Sequence, residues 1–160
     1  MINAFVKIFI ILIIVALQFT LMPFLEIMGV WPNLLLICVA VLALLEYPED
    51  ALLFACVAGF LSDLAGPINF GVNILFYLGL VFAIQYLLKR YISEINLFVL
   101  VLIIIITTIL YCIYISLIIH VPLNQSLLYQ CIYNTIVAIF FFYLFQLIYK
   151  KKLLIKIENL

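Results

Sequence analysis

The sequence predicts an all-α integral membrane protein of six transmembrane helices, and two observations carry that reading. The first is composition: 71% of the 160 residues are hydrophobic and only 9% are charged, where a soluble domain carries about 25% charge. The second is the length of the uncharged runs. No Lys, Arg, Asp or Glu occurs from Ile8 to Leu25, nor from Ile95 to Tyr149, and about 20 apolar residues suffice for one crossing. The second run holds two crossings, broken at His120-Val-Pro-Leu-Asn-Gln-Ser126.

The whole chain reads as one transmembrane domain, residues 1–160, with spans at 4–25, 31–47, 49–66, 70–88, 95–119 and 126–149. The first span is expected to stay in the membrane, since no small-x-small cleavage site follows its apolar run. Spans two and three are the shortest, and a re-entrant hairpin is the alternative for them. Their tip, Glu46-Tyr-Pro-Glu-Asp50, carries three acids that belong in water. The fourth span ends at Lys89 and Arg90, and the sixth ends at Lys150, Lys151, Lys152 and Lys156. With Lys7, every basic residue then lies on one side of the membrane. The positive-inside rule makes that side, and both termini, cytoplasmic.

Span three poses the sharpest question, because Gly59-Phe-Leu-Ser-Asp-Leu64 embeds a carboxylate among residues suited to lipid. At 100° per residue, Ala51, Ala55, Ala58, Gly59, Ser62, Asp63 and Gly66 share one face. Leu53, Phe54, Val57, Phe60, Leu61 and Leu64 share the other, and Leu52 is the one bulky residue on the small side. Small faces let helices approach closely in membranes, so this helix is expected to be central, with Asp63 pointing into protein. A charge at the bilayer centre costs about 2.5–3.5 kcal/mol or more, and a helix C-terminus is an unfavourable place for an anion. A donor must therefore compensate, or the carboxyl is protonated, and the sequence leaves both open.

Candidate donors lie in the same outer half of the membrane. Asn69, Asn73 and Tyr77 follow one another along the start of span four. Tyr111 and Tyr114 lie towards the end of span five, with Thr107. Gln130, Tyr133 and Asn134, with Ser126, form a polar stripe at the start of span six, and Gln18 and Thr20 lie in span one. These residues either glue helices together, at about 0.6 kcal/mol per bond, or line a cavity or docking groove open to the outside.

Nothing else suggests chemistry. The four cysteines each sit in a different span, without metal-ligand spacing, and are expected to be buried small hydrophobes. His120 reads as a surface residue. No nucleophile–base pair, phosphate loop or HExxH motif appears. No catalysis, cofactor, metal or nucleic-acid partner is expected.

Pro32-Asn33-Leu34 opens span two, an acidic loop follows, and then come Gly59-Phe-Leu-Ser-Asp63-Leu64 and a glycine-containing turn through Gly71. With the six-span layout, this resembles the MreD family of rod-shape-determining membrane proteins of bacteria. The sharp part of the resemblance is confined to residues 32–73. It implies a non-enzymatic subunit of the cell-elongation machinery of peptidoglycan synthesis, in the bacterial cytoplasmic membrane. The implied partners are MreC, MreB and the glycosyltransferase/transpeptidase pair, beside membrane lipids. Pro32, Asn33, Ala55, Gly59, Ser62, Gly66 and Gly71 would be its helix-packing motif. The family's core is also similar to the S components of energy-coupling-factor vitamin transporters, which is the competing reading. Those often carry an Ala-x-x-x-Ala face on the first helix. Here Ala4 and Ala16 are separated by bulky residues, which favours the MreD resemblance.

Overall fold

The computed structural model describes the backbone of residues 4–45, 47–65, 70–91, 95–120 and 126–158. Among them it contains six α-helices and no strand: α1 (Ala4–Thr20), α2 (Leu34–Leu44), α3 (Pro48–Ala65), α4 (Val72–Tyr91), α5 (Leu97–Ile119) and α6 (Ser126–Glu158). Three helical segments are long and apolar enough to cross a membrane: Val72–Tyr91, Leu97–Ile119 and Leu127–Leu147. The helix of span one is shorter than expected. Pro23 has no N–H to continue it and its ring opposes the carbonyl four residues back, so α1 stops at Thr20 and a 3₁₀ turn, Met22–Leu25, follows. A tight turn then bonds Ile27 and Val30 to each other through both backbone groups, with Met28 and Gly29 at positive φ.

The largest departure concerns span two. Its helix has 11 residues rather than 17, and all eleven are buried. At about 16 Å by helical rise it is half the thickness of the hydrocarbon core. A helix apolar on every side belongs inside protein or inside lipid, and this one is inside protein, packed on α1, α3, α4, α5 and α6. The centre of the molecule is therefore α2 rather than α3. Around it, each neighbour buries one stripe. On α1 the stripe is Ile11, Ile14, Val15 and Gln18; on α6 it is Cys131, Asn134, Ala138, Phe142 and Phe145. Their opposite faces expose Phe5, Phe9, Phe140 and Leu147.

Helix α3 buries Ala51, Ala55, Ala58, Gly59, Ser62 and Asp63, the small face, but also Phe54 from the bulky face. Phe54 is 3% exposed and belongs to the hydrophobic core. Gly66 lies outside the described residues. Of the cysteines, Cys38 and Cys131 are buried, Cys112 is half-buried and Cys56 is exposed. Cys56 departs from expectation because it lies beyond the buried small face of α3, on the side of exposed Phe60. Finally, α6 does not end at the lysine run: its backbone stays helical to Glu158.

The contacts order the helix ends. Lys7 near the start of α1 pairs with Asp50 in the first turn of α3. Gln85, late in α4, donates to the Ala43 carbonyl at the end of α2 (2.7 Å). At the other end meet the close of α1 and α3, the start of α2, α4 and α6, and the last turns of α5.

Candidate functional site

The polar residues gather where two helices begin inside the protein. A helix start leaves its first N–H groups without partners, and without water each one costs free energy unless a side chain meets it. In α4 the first intrahelical bond runs from Leu75 N to Gly71 O, so the preceding N–H groups need acceptors. Asp63 supplies them. Its Oδ2 accepts from Gly71 N (3.0 Å) and Ile74 N (3.3 Å), and its Oδ1 accepts from Asn73 N and Asn73 Nδ2 (both 2.9 Å). The carboxylate is 5% exposed. Four donors and no acceptor among these contacts match an ionised, acceptor-only group. The positive end of the α4 dipole opposes the negative end of α3. This is how the chain carries an acid among apolar helices.

Gly59 makes that arrangement reachable. A Cβ built on it would lie 2.7 Å from the Ile74 Cα and 2.9 Å from the Ile74 N, so α3 and α4 approach backbone to backbone one turn before Asp63. Gly71, at φ +98°, turns the chain into α4 in a conformation that only glycine adopts without strain.

The start of α2 is met differently. Its first intrahelical bond is Ile37 N to Asn33 O. Asn33 Oδ1 accepts from Leu36 N (3.0 Å) as a local N-cap. Gln18 of α1 accepts from Leu34 N through Oε1 (2.6 Å) and donates to the Pro32 carbonyl (3.3 Å). Asn134 of α6 accepts from Asn33 N (2.9 Å), and its amide donates to Thr108 Oγ1 of α5 (3.1 Å). Asn134 and Thr108 are fully buried. Pro32, which has no N–H, needs no partner there.

Tyrosines join the two starts. Tyr111 donates to Asn73 Oδ1 (3.0 Å) and stacks on Tyr77 at 6.2 Å. The Tyr77 and Tyr111 hydroxyls both adjoin the Asn33 side chain. Tyr114 donates to the Val72 carbonyl (3.1 Å) and lies against Phe76.

Comparison with protein-family models, with curated proteins and with solved structures gives no match.

Of the residues singled out in the sequence, Asp63, Asn73, Tyr77, Tyr111, Tyr114, Asn33 and Asn134 belong to this assembly. Tyr77, Asn73, Asp63 and Asn134 are at most 5% exposed, so they fill the protein rather than line an open mouth. Gln130 and Tyr133 stand apart: Gln130 accepts from Cys112 Sγ (3.3 Å), and Tyr133 donates to the Leu25 carbonyl (3.0 Å). Thr20 bonds back to Ala16 O within its own helix. Asn69 lies outside the described residues. Among the described residues, no tyrosine bonds Asp63 directly. The donors the sequence did not indicate are the backbone N–H groups of α4, which every residue but proline owns. Ser62 Oγ is buried and has no hydrogen-bond partner among the described residues. Among the described residues, no three His, Cys, Asp or Glu side chains come together as a metal site.

Proposed function

We propose that this chain is a multi-pass subunit of the MreD type, which serves bacterial cell elongation without chemistry of its own by holding MreC and the wall-synthesis pair through its helix faces. One observation carries the reading. The two halves of the resemblance, Pro32-Asn33 and Gly59 to Gly71, are some thirty residues apart in sequence and converge on one buried assembly. Its polar groups are engaged in starting α2 and α4. A motif engaged in that way sets the shape of the bundle, which a scaffold subunit needs. The exposed faces of α1, α4, α5 and α6 are apolar and offer surfaces on which a partner's transmembrane helix packs. MreB and the peptidoglycan enzymes would be reached through such partners.

Orientation belongs to the same proposal. Lys7, Asp50, Lys89 and Arg90 fall at the end where α1 and α3 begin and α2 and α4 close, and this end is assigned to the cytoplasm. Helix α2 does not reach across the hydrocarbon by itself. Its non-helical flanks complete the passage, since irregular backbone at membrane depth is tolerated where protein buries it. Cysteine labelling in a background without native cysteines should reach position 68 from outside and position 92 only from inside.

Depletion in a rod-shaped host tests the function. Cells should become round with vitamin uptake unchanged, and MreC should co-purify. Uptake loss with shape intact, or a vitamin bound one to one, would establish the S-component reading instead.

A further inference from the structure

At the end opposite the polar assembly, α1 and α6 diverge over α2 and α3 and leave a cleft of about 280 Å³. Its walls are apolar: Ile10, Ile14 and Leu17 of α1, Phe54 of α3, and Phe141 and Leu144 of α6. Among the described residues, its charged lining residues are Lys7 and Asp50, which form an ion pair.

Three features define what fits. The cleft runs from Lys7 to Leu17, ten residues of α1, or about 15 Å by helical rise. That is the depth of one leaflet, half of a core about 30 Å thick. A partner helix that crosses the whole core would need a groove twice as long. One acyl chain matches the length. Beyond Leu17 the next side chain, Gln18, is buried and bonded to the start of α2, which closes the inner end. The third feature is the pair of opposite charges at the headgroup level. Lys7 is 26% exposed and Asp50 11%, and Glu49 is exposed in the same turn of α3. A lone anionic headgroup would meet these carboxylates. A headgroup carrying both a phosphate and a primary ammonium meets each charge with its opposite: the phosphate accepts from the Lys7 ammonium, and the ammonium donates to Asp50.

We propose that this cleft is a binding site for a zwitterionic phospholipid with a primary ammonium headgroup, of the phosphatidylethanolamine class, one of whose chains lies between α1 and α6. The inference is independent of the elongation reading, and its test does not involve cell shape.

Protein stripped of native lipid in mild detergent is mixed separately with dioleoyl phosphatidylethanolamine, phosphatidylcholine and phosphatidylglycerol. Retained lipid is then counted by native mass spectrometry. One phosphatidylethanolamine per chain should be retained, at about tenfold lower lipid concentration than either other lipid, equivalent to about 1.4 kcal/mol. Ile10→Trp and Leu144→Trp change exposed wall residues, so they fill the cleft without touching the core, and each should abolish retention while the melting temperature is kept. Asp50→Asn leaves Lys7 without its anion and should turn the preference towards phosphatidylglycerol. Equal retention of the three lipids overturns the proposal. So does unchanged retention in a folded cleft-filling variant, or a polypeptide cross-linked from position 10 or 144 in native membranes.

Discussion

The starts of α2 and α4 solve one problem by opposite means. Each presents three described N–H groups that side-chain oxygens satisfy, and each is shut away from water. At α4 all three go to the two oxygens of one carboxylate, Asp63. At α2 they go to three neutral amides, Asn33, Gln18 and Asn134, one local and the others from α1 and α6. A carboxylate concentrates acceptor capacity and adds a charge–dipole term, but everything then rests on one residue. The amides are individually weaker, and each also ties another helix to the centre. The α4 start is thus strong and vulnerable, and the α2 start is distributed and gives the bundle its connections.

Asp63→Leu should have the largest effect. It strands four donors and adds bulk to a face with no room for it, at a cost of about 3–5 kcal/mol. Unfolding in detergent, followed by circular dichroism, measures the loss. Gly59→Leu comes next, at about 3 kcal/mol, because its side chain meets the Ile74 backbone rather than a yielding side chain. Leu61→Ala, on the half-buried side of the same helix, should cost less, which inverts the usual order of soluble cores. Equal losses for the two would mean that α3 and α4 separate freely.

Asp63→Asn sharpens the comparison further. Had the carboxyl been protonated, the amide would have been a mild replacement. With only donors facing it, an amide places its own N–H₂ against one of the N–H groups it replaces. We expect a loss of about 2 kcal/mol, seen as a clear fall in midpoint. A midpoint within error of the unsubstituted protein would show that a proton resides on Asp63.

The sequence carried the small face of α3 legibly, because a 3.6-residue period marks it whichever helix it meets. It also carried the need for donors near Asp63, since an acid among Phe and Leu has no other remedy. The donors themselves were not legible: a backbone N–H leaves no trace in residue type. Nor was the shortness of α2. Leu-Leu-Leu-Ile-Cys-Val-Ala-Val-Leu-Ala-Leu reads alike whether lipid or protein surrounds it, and only the five helices packed on it decide. The pairing of Lys7 with Asp50 joins residues 43 apart in sequence, and charge pattern alone could not choose Asp50 over the neighbouring acids.

On the α2 side, Asn134→Leu removes one acceptor and one donor at a fully buried position. The orphaned groups are Asn33 N and Thr108 Oγ1. Because Gln18 and Asn33 still hold their own N–H groups, the loss should be about 1–2 kcal/mol, smaller than for either Asp63 substitution. Gln18→Leu should behave similarly, and the double variant should lose more than the sum, since both hold the same helix start. Strict additivity would argue that the two amides act separately.

The smallest effect tests the bridge between the starts. Tyr111 donates one hydrogen bond to Asn73, and Asn73 keeps its bonds to Asp63 when that donor is gone. Tyr111→Phe preserves the ring that packs on Phe76 and Tyr77 and deletes only the hydroxyl. Interhelical hydrogen bonds in membranes average about 0.6 kcal/mol and reach about 1.7. The expected loss is therefore about 0.6 kcal/mol, a shift that reversible unfolding in detergent resolves only with replicate titrations. If the two starts were independent, this loss would be unchanged in an Asn134→Leu background. If they form one unit, as the shared contact of Tyr77 and Tyr111 with Asn33 implies, the same deletion should cost measurably more or less there. The sign of that difference would show whether α2 and α4 steady or strain each other.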